Sequence, residues 1–249
     1  MRHPAWKARD RHTEAPMILI HENMSRGRTN KGWLDSYHTF SFGGFQDPTR
    51  MGFGPLRVIN EDWIAPGSGF SEHAHDNMDI LTMVLQGKLR HQDTMGNVSV
   101  IEPGAMQLMS AGTGLRHSEM NASENETAHF LQIWLIPQTS DAAPHYQHAR
   151  LPAAEEARDW TLIASGDAGE APLALLSDSR ISIACPRDGD RSNIPVAAGR
   201  LAFVQIIEGL AKIGDEELRA GDGLQISDAT GLEIDWLTDG KALLFDMPR

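Results

Sequence analysis

The segment HAHDNMD at 73–79 places two histidines two positions apart, and HSEMN at 117–121 gives a histidine and a glutamate the same spacing. On a helix, side chains two apart point roughly 200° from each other and cannot share a ligand. On a strand they project from one face. If both segments are strands, His73 and His75 form one same-face pair, and His117 and Glu119 form another. Two such pairs on neighbouring strands of a small barrel bring three imidazoles and one carboxylate to a common point. That donor set suits a borderline divalent transition metal such as iron, nickel, copper or zinc. Around an octahedral ion it leaves two positions open for water, dioxygen or substrate. Either pair alone is commonly incidental. Their conjunction carries the metal: hairpin-like turns and the Pro103-Gly104 step lie between the pairs, and each pair sits on the first or last strand of that run.

The surrounding sequence calls for strands. From about residue 50 it reads as short apolar or β-branched runs between turns, among them LRVIN, ILTMVLQG, VSVIEPG, AMQLMSAG and FLQIWLIP. This rhythm predicts an all-β sandwich or barrel. A weaker helix signal lies at PAAEEARDW, where proline opens a stretch of good helix formers. The segment at 84–112 is echoed at 204–228: each runs strand, a two-residue step ending in glycine (Gln86-Gly87, Glu208-Gly209), strand, turn, and a second glycine-containing step. An internal repeat of this kind predicts two copies of one barrel. The second copy keeps the scaffold and has neither the His-x-His nor the His-x-Glu pair. The expected organisation is a flexible extension at 1–16, a metal-binding barrel at 17–140, a linker at 141–160 and a degenerate barrel at 161–249. Met17 heads a more hydrophobic segment, MILIHENM, and is a candidate start beside Met1.

Composition narrows the setting. The 249 residues suffice for a sizeable core, with 41% hydrophobic and 22% charged residues. No apolar run approaches the roughly 20 residues of a membrane helix, and the polar N-terminus lacks the apolar core of a signal peptide. The single cysteine, Cys185, excludes an internal disulfide framework and fits the cytoplasm. A formal charge of −12 argues against direct nucleic-acid binding. The basic stretch RGRTNK at 26–31 reads as a solvated loop. A pseudo-symmetric two-barrel chain is expected to be a monomer.

GFSEHAHDNMDILTMVLQG, the later HQDTMGNVSVIEPGAMQLMSAGTGLRHSEMN and the upstream GWLDSYHTFSFGGFQDPTRMGFGPLRVINED resemble the pirin family, and most closely its bacterial branch with quercetinase activity. The resemblance spans roughly 17–249. It implies an all-β bicupin: two jelly-roll-like β-barrels in tandem with few short helices, the first holding a metal. It places the metal ligands on His73, His75, His117 and Glu119, and leaves Asp79, where the family often has glutamate, as a supporting residue and not a ligand. It implies Fe(II) first, with Ni, Cu, Zn, Mn or Co as alternatives. The implied activity is that of a metal-dependent dioxygenase that opens flavonols such as quercetin with dioxygen and loss of carbon monoxide. Glu119 would then serve as catalytic base as well as ligand. The alternative is a metal- or redox-responsive regulatory protein that binds a protein partner.

Other polar residues have more ordinary expectations. His91 lies near a strand end, where backbone would satisfy its ring. His38 sits between aromatics as a packed, hydrogen-bonded residue, and His129, His145 and His148 are expected in solvent. Met106 and Met109 fill core, and Gly112 and Gly114 allow a tight backbone path before His117.

Overall fold

The computed structural model describes residues 17–229 and 231–249; the extension expected at 1–16 lies outside them. Among the described residues, twenty-two strands form two large and two small sheets. The first large sheet orders its strands His145–Arg150, Ala105–Ser110, Asp79–Gln86, Ala128–Leu135, Leu56–Ile64, Leu34–His38 and Gly27–Asn30. Facing it is a four-stranded sheet of Gly69–His75, Leu115–Asn121, Leu89–Asp93 and Val98–Ile101. The second half repeats this plan. Its large sheet is built around Gly223–Ser227, Arg200–Glu208 and Lys241–Pro248, and its small sheet orders Arg191–Ile194, Leu232–Trp236, Leu210–Ile213 and Glu216–Arg219. The chain is all-β and has the two-barrel plan that its repeat implied. No helix among the described residues is long and apolar enough to cross a membrane.

The two large sheets pack back to back. Leu81, Met83, Leu108 and Ile133 from one join Ile183, Phe203, Leu243 and Phe245 from the other in one buried cluster. Strands there are buried on both faces, which is why ILTMVL reads as a continuous apolar run. The small-sheet strand LRHQD alternates buried and exposed because its outer face meets water.

Three segments differ from the sequence reading. Met17–His21, grouped there with the first barrel, pairs antiparallel with Gly223–Ser227 of the second. His145–Arg150, inside the stretch read as linker, pairs with Ala105–Ser110 of the first. Each barrel thus borrows its edge strand from a connecting segment. PAAEEARDW makes one turn, with Ala157 N–H donating to the Ala153 carbonyl, and no helix. Cys185 N–H takes the Ala157 carbonyl at 2.6 Å, and Ala157 is fully buried. The segment is stapled to the second barrel before a helix can propagate, and a nine-residue helix is marginal by itself.

Asp79 is one such staple between the barrels. Its Oδ2 accepts the backbone N–H groups of Leu176 (2.8 Å) and Ser177 (3.0 Å) across the junction, and its Oδ1 accepts the Ser110 hydroxyl at 2.5 Å. Burial raises its pKa, with these three donors opposing the rise. Asp79→Ala strands three donors in a buried place, each worth about 1–3 kcal/mol. We expect a loss of about 3 kcal/mol or more in urea unfolding, with metal content per folded chain retained. Loss of metal without loss of stability would show Asp79 acting on the ligands instead.

Candidate metal centre

The first barrel's interior has apolar ends and a polar middle. Leu34, Ile64, Val84, Leu89 and Phe130 close one end, and Ile80, Met109, Ala111 and Leu115 close the other. Between them the central ladder carries Thr82 opposite Gln107 and Gln132. In the second barrel the same ladder carries Val204 opposite Leu224 and Leu244. The small sheets differ likewise: His117 stands opposite His73, where the second barrel pairs Leu232 with Ile194. The degenerate barrel is therefore packed with aliphatic side chains where the first keeps a site.

His73 and His75 lie on one strand and His117 and Glu119 on its antiparallel neighbour, as the spacing required. A register shift between His117 and Glu119 re-aims this strand. Before it, Gly112 sits at φ +48°, and a Cβ there would stand 2.0 Å from the Ala142 carbonyl oxygen, so only glycine fits the turn into His117. The rings of His73, His75 and His117 are 4.5–5.0 Å apart, centre to centre.

Hydrogen bonds assign the ring protons. His73 Nδ1–H donates to the Ser71 carbonyl at 2.8 Å, so in the neutral ring Nε2 carries the lone pair. His91 Nε2–H donates to Asp93 Oδ2 at 3.1 Å, and burial holds His91 neutral, so its Nδ1 is an acceptor. His117 Nδ1 stands 3.4 Å from that acceptor and is the donor, which leaves its own Nε2 bare. The two bare nitrogens, His117 Nε2 and His73 Nε2, face each other at 3.1 Å. Two lone pairs at that distance repel. A cation between them removes the repulsion, because cis nitrogens about 2.1 Å from one ion stand about 3 Å apart. The residues fit a metal.

The electrostatics agree. Burial, with repulsion from neighbouring imidazoles, lowers His117 to about 2 and His75 to about 4, so both rings are neutral at pH 7. Glu119 is 1% exposed. Its Oε1 accepts from Thr82 (3.1 Å) and Gln107 (3.4 Å), and Oε2 accepts from Gln132 (2.6 Å). Burial still raises it to about 7, with the Asp62 carboxylate adding to the rise. His73, His75 and His117 bring their ligand nitrogens within 4.8 Å of one another. Glu119 joins this cluster through His117, in a second group at the same spacing that includes His91.

His91 is thus more than the backbone-satisfied ring expected of it. The chain Asp93–His91–His117 fixes the tautomer of a ligand, and Asp93 is itself held by the N–H groups of Met95 and Asn97. Tyr146, on the strand first read as linker, stacks on His91 at 4.8 Å and donates to Gln107 at 3.0 Å. His38 is packed as expected, bonded to Asn60 (2.8 Å) and Thr29 (2.9 Å) against Phe42. His129 departs from expectation: it stacks on Trp63 at 4.0 Å and bonds Glu61 at 2.9 Å. Met106 and Met109 are fully buried core. A cavity of about 480 Å³ opens beside His73, His75 and Glu119, with Trp33, Phe42, Phe70 and Trp134 among its walls.

Fold and site together define a bicupin whose first barrel is built to hold a metal and whose second is not. Residues 21–135 match the Pirin family, and residues 162–247 match the Quercetinase C-terminal cupin domain. The chain belongs to the pirin family. It is 40% identical to a quercetin 2,3-dioxygenase of Escherichia coli strain K12, over 93% of this chain and 99% of that protein. It is 35% identical to a pirin-like protein of Caulobacter vibrioides, over 88% of this chain and 95% of that protein. Among solved structures, the E. coli bacterial pirin YhhW in complex with nickel(II) superimposes with a TM-score of 0.88, at 40% identity, over 93% of this chain and 99% of that one.

Proposed function

We propose that this chain holds one divalent transition metal on His73, His75, His117 and Glu119 and opens flavonols such as quercetin with dioxygen. One observation carries the reading: His73, whose Nε2 faces that of buried His117, lines an aromatic-walled cavity together with His75 and the buried Glu119 carboxylate. The 40% identity to a quercetin 2,3-dioxygenase over 93% of the chain supports it. The metal supplies a Lewis acid that lowers the pKa of a hydroxyl bound beside it.

The chain's own groups do the rest. Glu119 accepts the proton of the flavonol 3-hydroxyl, and Gln132 and Gln107 hold its carboxylate in place. Trp134, in edge contact with His75 at 4.9 Å, and Phe42, 5.5 Å from Trp134, close one end of the cavity against water. Trp33 and Phe70, 5.4 Å apart, wall it elsewhere. The ring opens with uptake of dioxygen and release of carbon monoxide.

Fe(II) is the ion proposed first, and nickel, bound in YhhW, is the leading alternative. A cytoplasmic monomer fits the buried free Cys185 and the single chain that supplies every ligand. The regulatory alternative would present the acidic surface implied by the formal charge of −12 to a basic protein partner. Purified protein loaded in turn with Fe(II) and Ni(II) is expected to consume oxygen on quercetin and release carbon monoxide in equal amounts. Full metal occupancy without oxygen uptake on any flavonol would move the assignment to regulation.

A further inference from the structure

The inner face of the metal barrel has one carboxyl oxygen without a partner among the described residues, Asp62 Oδ1. Asp62 is 2% exposed and lines the same cavity as His73, His75 and Glu119. Ser36 hydrogen-bonds the carboxyl, Asn60 bonds His38, and Gln132 bonds Thr82 and Glu119, while the Trp134 indole N–H on the same cavity wall also has no partner among the described residues. An unmet buried acceptor costs about 1–3 kcal/mol, and a chain keeps such a group where a ligand completes it.

The register says which part of a ligand this would be. Asn60 stands opposite Gln132, the residue that grips Glu119, while Asp62 stands opposite Phe130, two residues further along. Two residues of strand span about 7 Å. A hydroxyl received by Asp62 is therefore a different one from that held at Glu119, on another edge of the same ring system. The aromatic walls, Trp33, Phe42, Phe70 and Trp134, favour a planar molecule between the two points.

We propose that Asp62 is a specificity-determining acceptor for a remote ring hydroxyl of the substrate, selecting polyhydroxylated aromatic ring systems over bare ones. Burial, the largest influence on Asp62, raises it to about 7. The inference rests on the flavonol reading for the identity of the ring system, and its test separates the two.

Metal-loaded wild type, Asp62→Asn and Asp62→Leu are titrated without oxygen against quercetin and against 3-hydroxyflavone, which keeps only the hydroxyl next to the carbonyl. Binding is read from the absorbance shift of the flavonol, and oxygen uptake is measured separately. Wild type is expected to prefer quercetin by about tenfold or more in Kd, and both variants to lose most of that preference. Circular dichroism and metal content check each variant. Asp62→Leu needs no partner in the barrel and stands in should the amide variant misfold. A preference unchanged in the variants, or no preference in the wild type, overturns the role of Asp62. An Asp62-dependent preference without turnover upholds that role and removes the dioxygenase reading instead.

Discussion

The double variant His73→Ala/His117→Ala is expected to purify without stoichiometric metal and to show no oxygen uptake on quercetin above background. These residues supply the two bare nitrogens that face each other at 3.1 Å, so together they remove half the donor set and the edge that defines its geometry. Perturbing a supporting partner of a ligand alone costs roughly 10–100-fold in affinity. Loss of two ligands should exceed that, and His75 with Glu119 cannot hold an ion by themselves. A second readout follows from mass action. Metal at about 100 times its Kd stabilises the folded chain by about 2.7 kcal/mol, so added metal should raise the wild-type Tm and leave the variant's unmoved. His148→Ala, at an exposed position, is the control. Equal metal content in variant and wild type would show that this cluster is not where the metal sits.

Much of this was legible because strand geometry is simple. Period two put each ligand pair on one face, and the echo of 84–112 at 204–228 gave the second barrel. The structure adds that ILTMVL lies in a strand buried on both faces and LRHQD in one whose outer face meets water. A further signal was available: Thr82, Gln107 and Gln132 are each the polar interruption of an apolar strand, and the structure gathers all three around Glu119. Other features depend on partners far along the chain. Nothing in HYQHAR tells that it closes the first barrel while MILIH closes the second. The helix expected at PAAEEARDW lost to a backbone bond with Cys185. His91 acquires its role only where the fold sets Asp93 at one ring nitrogen and His117 at the other.

Glu119 makes the centre respond to pH, and the metal-free protein should show it. Its folded pKa is about 7 against an ordinary 4.5. Below pH 4.5 both states carry the proton. As pH rises towards 7 the unfolded chain releases it first, so the stability Glu119 contributes is present at low pH and lost as pH passes its folded pKa. The full change is about 3 kcal/mol, at about 1.4 kcal/mol per pH unit. His75 and His117 act in the opposite direction: their folded values lie below 6.5, so their contribution is present above that pH and lost as pH falls. Comparing wild type with Glu119→Gln cancels the histidines. The metal-free variant should gain on wild type by about 3 kcal/mol between pH 4.5 and pH 8 in urea unfolding. With metal the order reverses, because the ion needs the carboxylate and displaces its proton. Calorimetry in two buffers should find about one more proton released per metal from wild type than from Glu119→Gln at pH 6, and almost no difference at pH 8.5. Parallel stability curves for the two chains, or equal proton release from both at pH 6, would mean that Glu119 is ionised before the metal arrives and that its burial does not set the pH response.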